Sequence, residues 1–132
     1  MKEKLGARAK HVPGVQDTTA VLSMMDIFAH PATFREGFGL SIAEAMAARK
    51  PVIATDIWAL NTILRDGVDC LLVPPKDEDA LAAAIRRLLS DPKEAACLAD
   101  GGRRLTETIS SLDRMAGQLE NAYRETIDAK NG

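Results

Sequence analysis

Aromatic residues and cysteines are both scarce in this sequence. The 132 residues include one Trp, one Tyr and three Phe, so alanine and the aliphatic side chains must fill most of any core. There are only two cysteines, Cys70 and Cys97. They lie outside any metal-ligand spacing, and a fold of this length needs no disulfide. Both are therefore expected to be reduced thiols in a cytoplasmic protein.

Two further absences exclude whole classes of partner. The formal net charge is −2 at pH 7, which gives no electrostatic basis for binding nucleic acid or an acidic membrane. No run approaches the roughly 20 apolar residues of a membrane span, and residues 1–5 contain no apolar signal core. The aspartates do not cluster as metal ligands do, so we predict no metal and no cofactor.

What is present is an alternation of short apolar runs with helical segments. This alternation predicts an α/β fold in which parallel strands form a partial doubly wound, Rossmann-like sheet with helices on both faces. About four short strands are expected, followed by a helical C-terminal third, so residues 1–132 are predicted to be a single partial domain. The predicted strands are 10–15, 27–29, 51–55 and 71–73. The predicted helices are 19–25, 41–48, 60–65, 92–109 and 112–127. One more helix is predicted before residue 92, with a buried face formed by Leu81, Ile85, Leu88 and Leu89.

The loop after the second predicted strand has the most distinctive chemistry. Glu36 and Glu44 flank a Gly37-Phe38-Gly39 turn, and a helix is predicted to begin near Leu40 or Ser41. Glycines allow several amides to face one point, and the start of a helix adds unpaired N–H groups with a partial positive charge. Such a nest suits a phosphate, and carboxylates beside it accept hydrogen bonds from sugar hydroxyls.

Other interpretations of the same residues remain open at this stage. Ser41 and Glu44 fit the capping-box pattern, in which Glu44 would bond to the start of its own helix instead of a ligand. Gly37 and Gly39 lack the lysine of a P-loop and the third glycine of a dinucleotide fingerprint. His30 lies near the loop, where the sequence favours a structural histidine over a ligand contact.

The segment 36–47 together with Lys50–Asp56 resembles the donor-binding domain of glycosyltransferase family 4, whose members are retaining enzymes of the GT-B fold. The resemblance implies that a nucleoside-diphosphate sugar is the donor substrate and that its sugar is transferred to an acceptor hydroxyl. By this resemblance Glu36 is the catalytic residue beside the donor sugar and Glu44 holds the ribose. The backbone of Gly37, Phe38, Gly39 and Leu40 would face the sugar and diphosphate.

The sequence departs from the family pattern at several positions. Arg49 stands where the family usually has glycine, and Ile57-Trp58-Ala59 stands where the family usually has a glycine-rich loop. Trp58 would either shape a pocket or cover the sheet edge. In the family, a basic pair that clamps the diphosphate precedes the matching segment, and the whole acceptor-binding domain comes earlier still. Neither has a counterpart in this sequence.

The isolated chain is therefore expected to be inactive by itself and to work with an N-terminal acceptor domain, or with another chain through helix 112–127. The alternative is a non-catalytic fragment that binds a nucleotide or dimerises.

Overall fold

The fold is a three-stranded parallel sheet with helices on both faces. A computed structural model describes residues 9–12, 14, 17–34 and 39–109. The strands β1 (Phe28–His30), β2 (Val52–Thr55) and β3 (Leu71–Val73) lie in the order β1-β2-β3, all parallel. The helices are α1 (Thr18–Ser23), α2 (Leu40–Ala47), α3 (Leu60–Ile63), α4 (Glu78–Ser90) and α5 (Pro92–Ile109).

The middle strand β2 organises the core because every one of its residues is buried. Successive side chains of a strand point to opposite faces, so β2 supplies two separate cores. Val52 and Ala54 pack in a cluster with residues of α1, α2 and α3, whereas Ile53 packs with residues of β3, α4 and α5. A continuous apolar run with helices on each side is typical of parallel sheets.

Most predicted elements are confirmed within a residue or two. Asp17 caps α1 by accepting from the amides of Thr19 and Ala20 at 3.0 and 3.4 Å. The helix that begins at Pro92 runs to Ile109 as predicted.

Three expectations need correction or stay untested. The strand predicted over 10–15 is wrong for residues 10–12, which have no strand structure, and the described part of the sheet has three strands instead of about four. The prediction that Leu89 is buried is wrong: its side chain is 61% exposed, whereas Leu88 next to it is buried in the core. The predicted helix 112–127 lies outside the described residues.

Two adjacent glycines allow α5 to approach the rest of the fold very closely. A Cβ atom on Gly101 would lie 1.9 Å from the carbonyl oxygen of Val68. A Cβ atom on Gly102 would lie 2.8 Å from Cγ of Met46 and 3.0 Å from the carbonyl oxygen of Asp69. Glycine inside a helix is usually destabilising. The helix is instead continuous, and the glycines are required by its packing.

Polar contacts fix the segment against which α5 packs. The Asp69 side chain is fully buried and accepts three hydrogen bonds from Arg65, one from the backbone amide at 3.1 Å and two from the guanidinium at 2.9 and 2.8 Å. These bonds satisfy a carboxylate that would otherwise be costly to bury. They also raise the pKa of Arg65. Beyond this turn, Arg103 Nη1 donates to the carbonyl oxygen of Ala47 at 2.7 Å and connects α5 to the end of α2.

We predict that Gly101→Ala destabilises the fold even though alanine is the better helix former. The new methyl group would displace α5 from the Val68 carbonyl, which should lower the free energy of unfolding by about 2 kcal/mol or more. Chemical denaturation followed by circular dichroism measures this change.

Ala96→Gly on the exposed side of the same helix is the control for this prediction. Intrinsic propensity alone should lower its stability by roughly 1 kcal/mol. If Gly101→Ala raised stability instead, helix propensity would outweigh the close contact, and the packing argument would be wrong.

Cys70 predicts a pH dependence of stability. The thiol is fully buried, and this burial raises its pKa from 9.0 to about 12. The folded state therefore keeps the proton while the unfolded state loses it above about pH 9. The contribution of this thiol to the free energy of unfolding is complete below that pH. Between the two pKa values it declines by up to about 1.4 kcal/mol per pH unit.

Cys70→Ala is the matched variant for this measurement. It should be less stable than the wild type at pH 7 because it leaves a small cavity. The difference in the free energy of unfolding between the wild type and Cys70→Ala should shrink as the pH rises from about 8.5 to 10.5. A difference that stays constant over this range would contradict the raised pKa.

Candidate functional site

The carboxyl ends of all three strands meet at one edge of the sheet. The segments that leave them are Pro31–Phe34 after β1, Asp56–Ala59 after β2 and Pro74–Asp77 after β3. Ligands of open parallel sheets bind at this edge because loops and helix N-termini converge there. The segment after β1 leads into the loop that the sequence identified, and α2 begins directly beyond it.

The structure describes half of the predicted site residues. Gly39, Leu40 and Glu44 are described, whereas Glu36, Gly37 and Phe38 lie outside the described residues. The geometry of the site is therefore that of the α2 start and of the loops beside it.

Gly39 forms the N-cap of α2 in a left-handed conformation, with φ 64° and ψ 56°. Its carbonyl oxygen accepts from the amides of Ile42 and Ala43 at 2.8 and 3.1 Å. The amides of Leu40 and Ser41, in the first turn, have no acceptor among the described residues. They carry the partial positive charge of the helix start and remain available to an anion.

Glu44 does not form the capping box that the sequence allowed. The N-cap is Gly39 and not Ser41, and no side chain accepts a capping hydrogen bond at this end of α2. The Glu44 side chain is exposed and makes no hydrogen bond or ion pair with another described residue. Its carboxylate is therefore free for an external partner one turn above the open amides.

The loops beside α2 are held by short polar contacts. Thr55, which is 2% exposed, donates through Oγ1 to the carbonyl oxygen of His30 at 3.3 Å. The amide of Asp56 donates to the carbonyl oxygen of Val73 at 2.7 Å, and its carboxylate accepts from Nδ2 of Asn61 at 2.8 Å. These bonds connect the ends of all three strands, so the edge is preorganised.

His30 has a packing contact that agrees with the structural interpretation of this residue. Its ring is half-buried and stacks on Phe28 with centroids 6.3 Å apart and planes inclined by 12°.

Two departures from the family pattern fall at positions with unusual backbone. Arg49 has φ 55° at the end of α2, where its amide bonds to the carbonyl of Met46 and the next amide, of Lys50, bonds to that of Ala45. This is a Schellman motif, in which glycine is the usual residue. Ala59 has φ 82° and ψ −49° at the start of α3. Both residues therefore occupy backbone conformations that favour glycine.

Trp58, next to Ala59, is 64% exposed. Both roles considered from the sequence, shaping a pocket and covering the sheet edge, stay predictions.

A groove at the same edge was not anticipated from the sequence. Its volume is about 300 Å³, and it lies between the strand ends and the start of α4. The residues lining it are Pro31, Thr33, Thr55, Val73, Pro74, Lys76, Asp77, Glu78 and Leu81. No motif connects these residues, because they come from three separate segments that only the parallel sheet brings together.

The described residues offer no metal site and no membrane-crossing helix. No group of three or more His, Cys, Asp and Glu side chains in this part of the chain is placed to hold a metal ion. None of the helices seen in residues 17–109 combines the length and the apolar character needed to cross a bilayer.

Comparisons with known proteins identify the family. A sequence profile described as glycosyl transferases group 1 matches residues 1–91, and the chain belongs to this family. An MMP alpha-(1->4)-mannosyltransferase of Mycolicibacterium hassiacum is 34% identical over 113 residues, which are 85% of this chain and 27% of that protein. The chain thus spans about a quarter of the length of this curated relative.

Two solved structures extend the likeness to the fold. Sucrose-phosphate synthase from Thermosynechococcus elongatus is 35% identical and superposes with a TM-score of 0.81, covering 97% of this chain and 32% of that one. HepE from Anabaena in complex with UDP-glucose is 25% identical, with a TM-score of 0.78 over 89% of this chain and 34% of that one.

We predict that Gly39→Ala disturbs the start of α2. An alanine would be strained at φ 64°, and its Cβ would lie 3.1 Å from Cδ1 of Ile42 and 3.2 Å from Cδ2 of Leu60. The left-handed conformation alone should cost roughly 1–2 kcal/mol, and the two tight contacts should add to it. Thermal or chemical denaturation measures the total.

Gly67→Ala is the matched control because Gly67 has φ 70° with no atom near its missing Cβ. The Gly67→Ala variant should lose stability only through the strain of placing alanine in the left-handed backbone conformation. Equal losses for the two variants would mean that Gly39 is not fixed by contact with Ile42 and Leu60.

Proposed function

We propose that this chain is the donor-binding portion of a retaining glycosyltransferase, which transfers a sugar from a nucleoside-diphosphate sugar to an acceptor hydroxyl. The observation that carries the proposal is the start of α2, where two open amides lie below an exposed carboxylate. The amides of Leu40 and Ser41 suit a phosphate oxygen, and Glu44 suits a pair of ribose hydroxyls.

The remaining predicted residues complete this scheme. Glu36, Gly37 and Phe38 directly precede Gly39 in the sequence, and we propose that they take part in the same site. We assign Glu36 to the hydroxyls of the donor sugar, where its charge would stabilise the positive charge that develops as the glycosidic bond breaks. Glu36 thus differs in role from the paired carboxylates of glycoside hydrolases.

The transfer itself needs few protein groups. The bond between the anomeric carbon and the phosphate oxygen breaks, and the acceptor oxygen bonds to the same face of that carbon. The proton of the acceptor hydroxyl passes to the departing diphosphate. The chain would contribute donor binding, positioning and electrostatic stabilisation to this step.

The family relationship and the solved relatives support this proposal. HepE was solved in complex with UDP-glucose, and a nucleotide sugar is the donor class we propose here. Because the chain spans about a quarter of its curated relative, most of the acceptor-binding surface is assigned to a separate N-terminal domain. The isolated chain is expected to bind the donor nucleotide without catalysing transfer.

We predict that Glu44→Ala weakens nucleotide binding by about tenfold or more, since it removes hydrogen bonds to a charged acceptor worth roughly 1.5–3 kcal/mol. Titration of this chain with UDP, GDP and ADP, followed by calorimetry, measures the effect. In the complete enzyme, Glu36→Ala should abolish transfer while the fold and nucleotide binding persist.

Asp100→Ala is the control, because it removes an exposed helical carboxylate on α5, away from the start of α2. Its nucleotide affinity should equal that of the wild type. If none of the three diphosphates bound, or if Glu44→Ala and Asp100→Ala bound them equally well, the donor site would have to lie elsewhere.

A further inference from the structure

The groove at the carboxyl edge is separate from the proposed donor site but joined to it by the chain. Helix α2 packs on the face of the sheet that contains Val52 and Ala54, whereas Val73 and Leu81 belong to the opposite face. The groove therefore lies across the strand ends from the start of α2. Thr33, which lines the groove, is three residues before Glu36.

The lining combines an apolar base with unpaired polar groups. Pro31, Val73, Pro74 and Leu81 supply the apolar surface. The side chains of Thr33, Lys76 and Glu78 make no hydrogen bond or ion pair with other described residues. A volume of about 300 Å³ lies at the lower end of the range for ligand pockets, so it suits one ring-sized molecule.

The charges of the groove decide against an anionic ligand. Lys76 contributes one positive charge, whereas Asp77 and Glu78 contribute two negative charges. Asp77 already accepts from the amide of Ala80 at 2.8 Å and caps α4, so its carboxylate occupies the place that a phosphate would need. Glu78 and Lys76 are left as one acceptor and one donor, a pair that suits neutral hydroxyl groups.

We propose that this groove is a subsite for a neutral polyhydroxylated ring, a sugar or cyclitol unit of the acceptor. Its apolar base would take the C–H face of the ring, and Thr33, Lys76 and Glu78 would bond to hydroxyls at its rim. The identification of this ring as the acceptor rests on the proposed transfer function. The binding of a neutral ring to the groove does not.

The test uses the isotope-labelled chain and two neutral probes, myo-inositol and methyl α-D-mannopyranoside. Each should shift the amide resonances of Thr33, Thr55 and Lys76 in a saturable manner and leave those of Ile42 and Ala43 unchanged. Glu78→Gln should weaken this binding about tenfold. Asp79→Asn, which removes a neighbouring carboxylate that does not line the groove, should leave it unchanged.

A second variant and two further probes keep the outcomes distinct. Thr33→Val removes a hydroxyl outside any helix and should also weaken ring binding. UDP should instead shift the amide resonances of residues 40–43. If UDP left these resonances unchanged, that result would count against the donor site alone. The groove proposal is overturned if neither ring shifts the groove amides, if inorganic phosphate shifts them equally, or if Glu78→Gln and Thr33→Val both bind like the wild type.

Discussion

The close contact between α5 and the backbone of residues 68–69 is the constraint on which the other positions depend. Gly101 and Gly102 lie against the carbonyl oxygens of Val68 and Asp69, with no room for a Cβ atom. The buried Asp69 carboxylate fixes that backbone through its three hydrogen bonds from Arg65. Helix α5 also packs against α2, with Gly102 close to the side chain of Met46. The helix that begins at the proposed diphosphate site is therefore supported by the same close packing of α5.

Backbone conformation at the edge of the site is the second theme. Gly39 needs its left-handed conformation to turn the chain into α2 without a side-chain cap, which leaves the first amides open. Arg49 and Ala59 adopt positive φ angles although they carry side chains. Such conformations are maintained only where surrounding contacts determine them. At Arg49, the two hydrogen bonds of the Schellman motif provide these contacts.

The carboxyl edge divides into two regions with different charge. On one side lie the open helix amides and the exposed glutamate that we propose as the donor site. On the other, a groove with an apolar base contains one lysine and two carboxylates, one of which caps α4. Under the two proposals, this difference in charge would separate an anionic group from a neutral one. It is also consistent with a reaction that brings a charged donor and a hydroxyl acceptor to one edge of a sheet.

The sequence by itself determined the elements whose signals are local. The buried run of β2 and the helix α5 that begins at Pro92 could be predicted, because propensity and proline act over a few residues. Only the tertiary structure decided that Glu44 does not cap its own helix, that Leu89 is exposed and that Gly101-Gly102 is required. These features, like the groove, arise between segments distant in the chain. Helical periodicity identifies an apolar face, but it does not say how much of that face a neighbouring helix will cover.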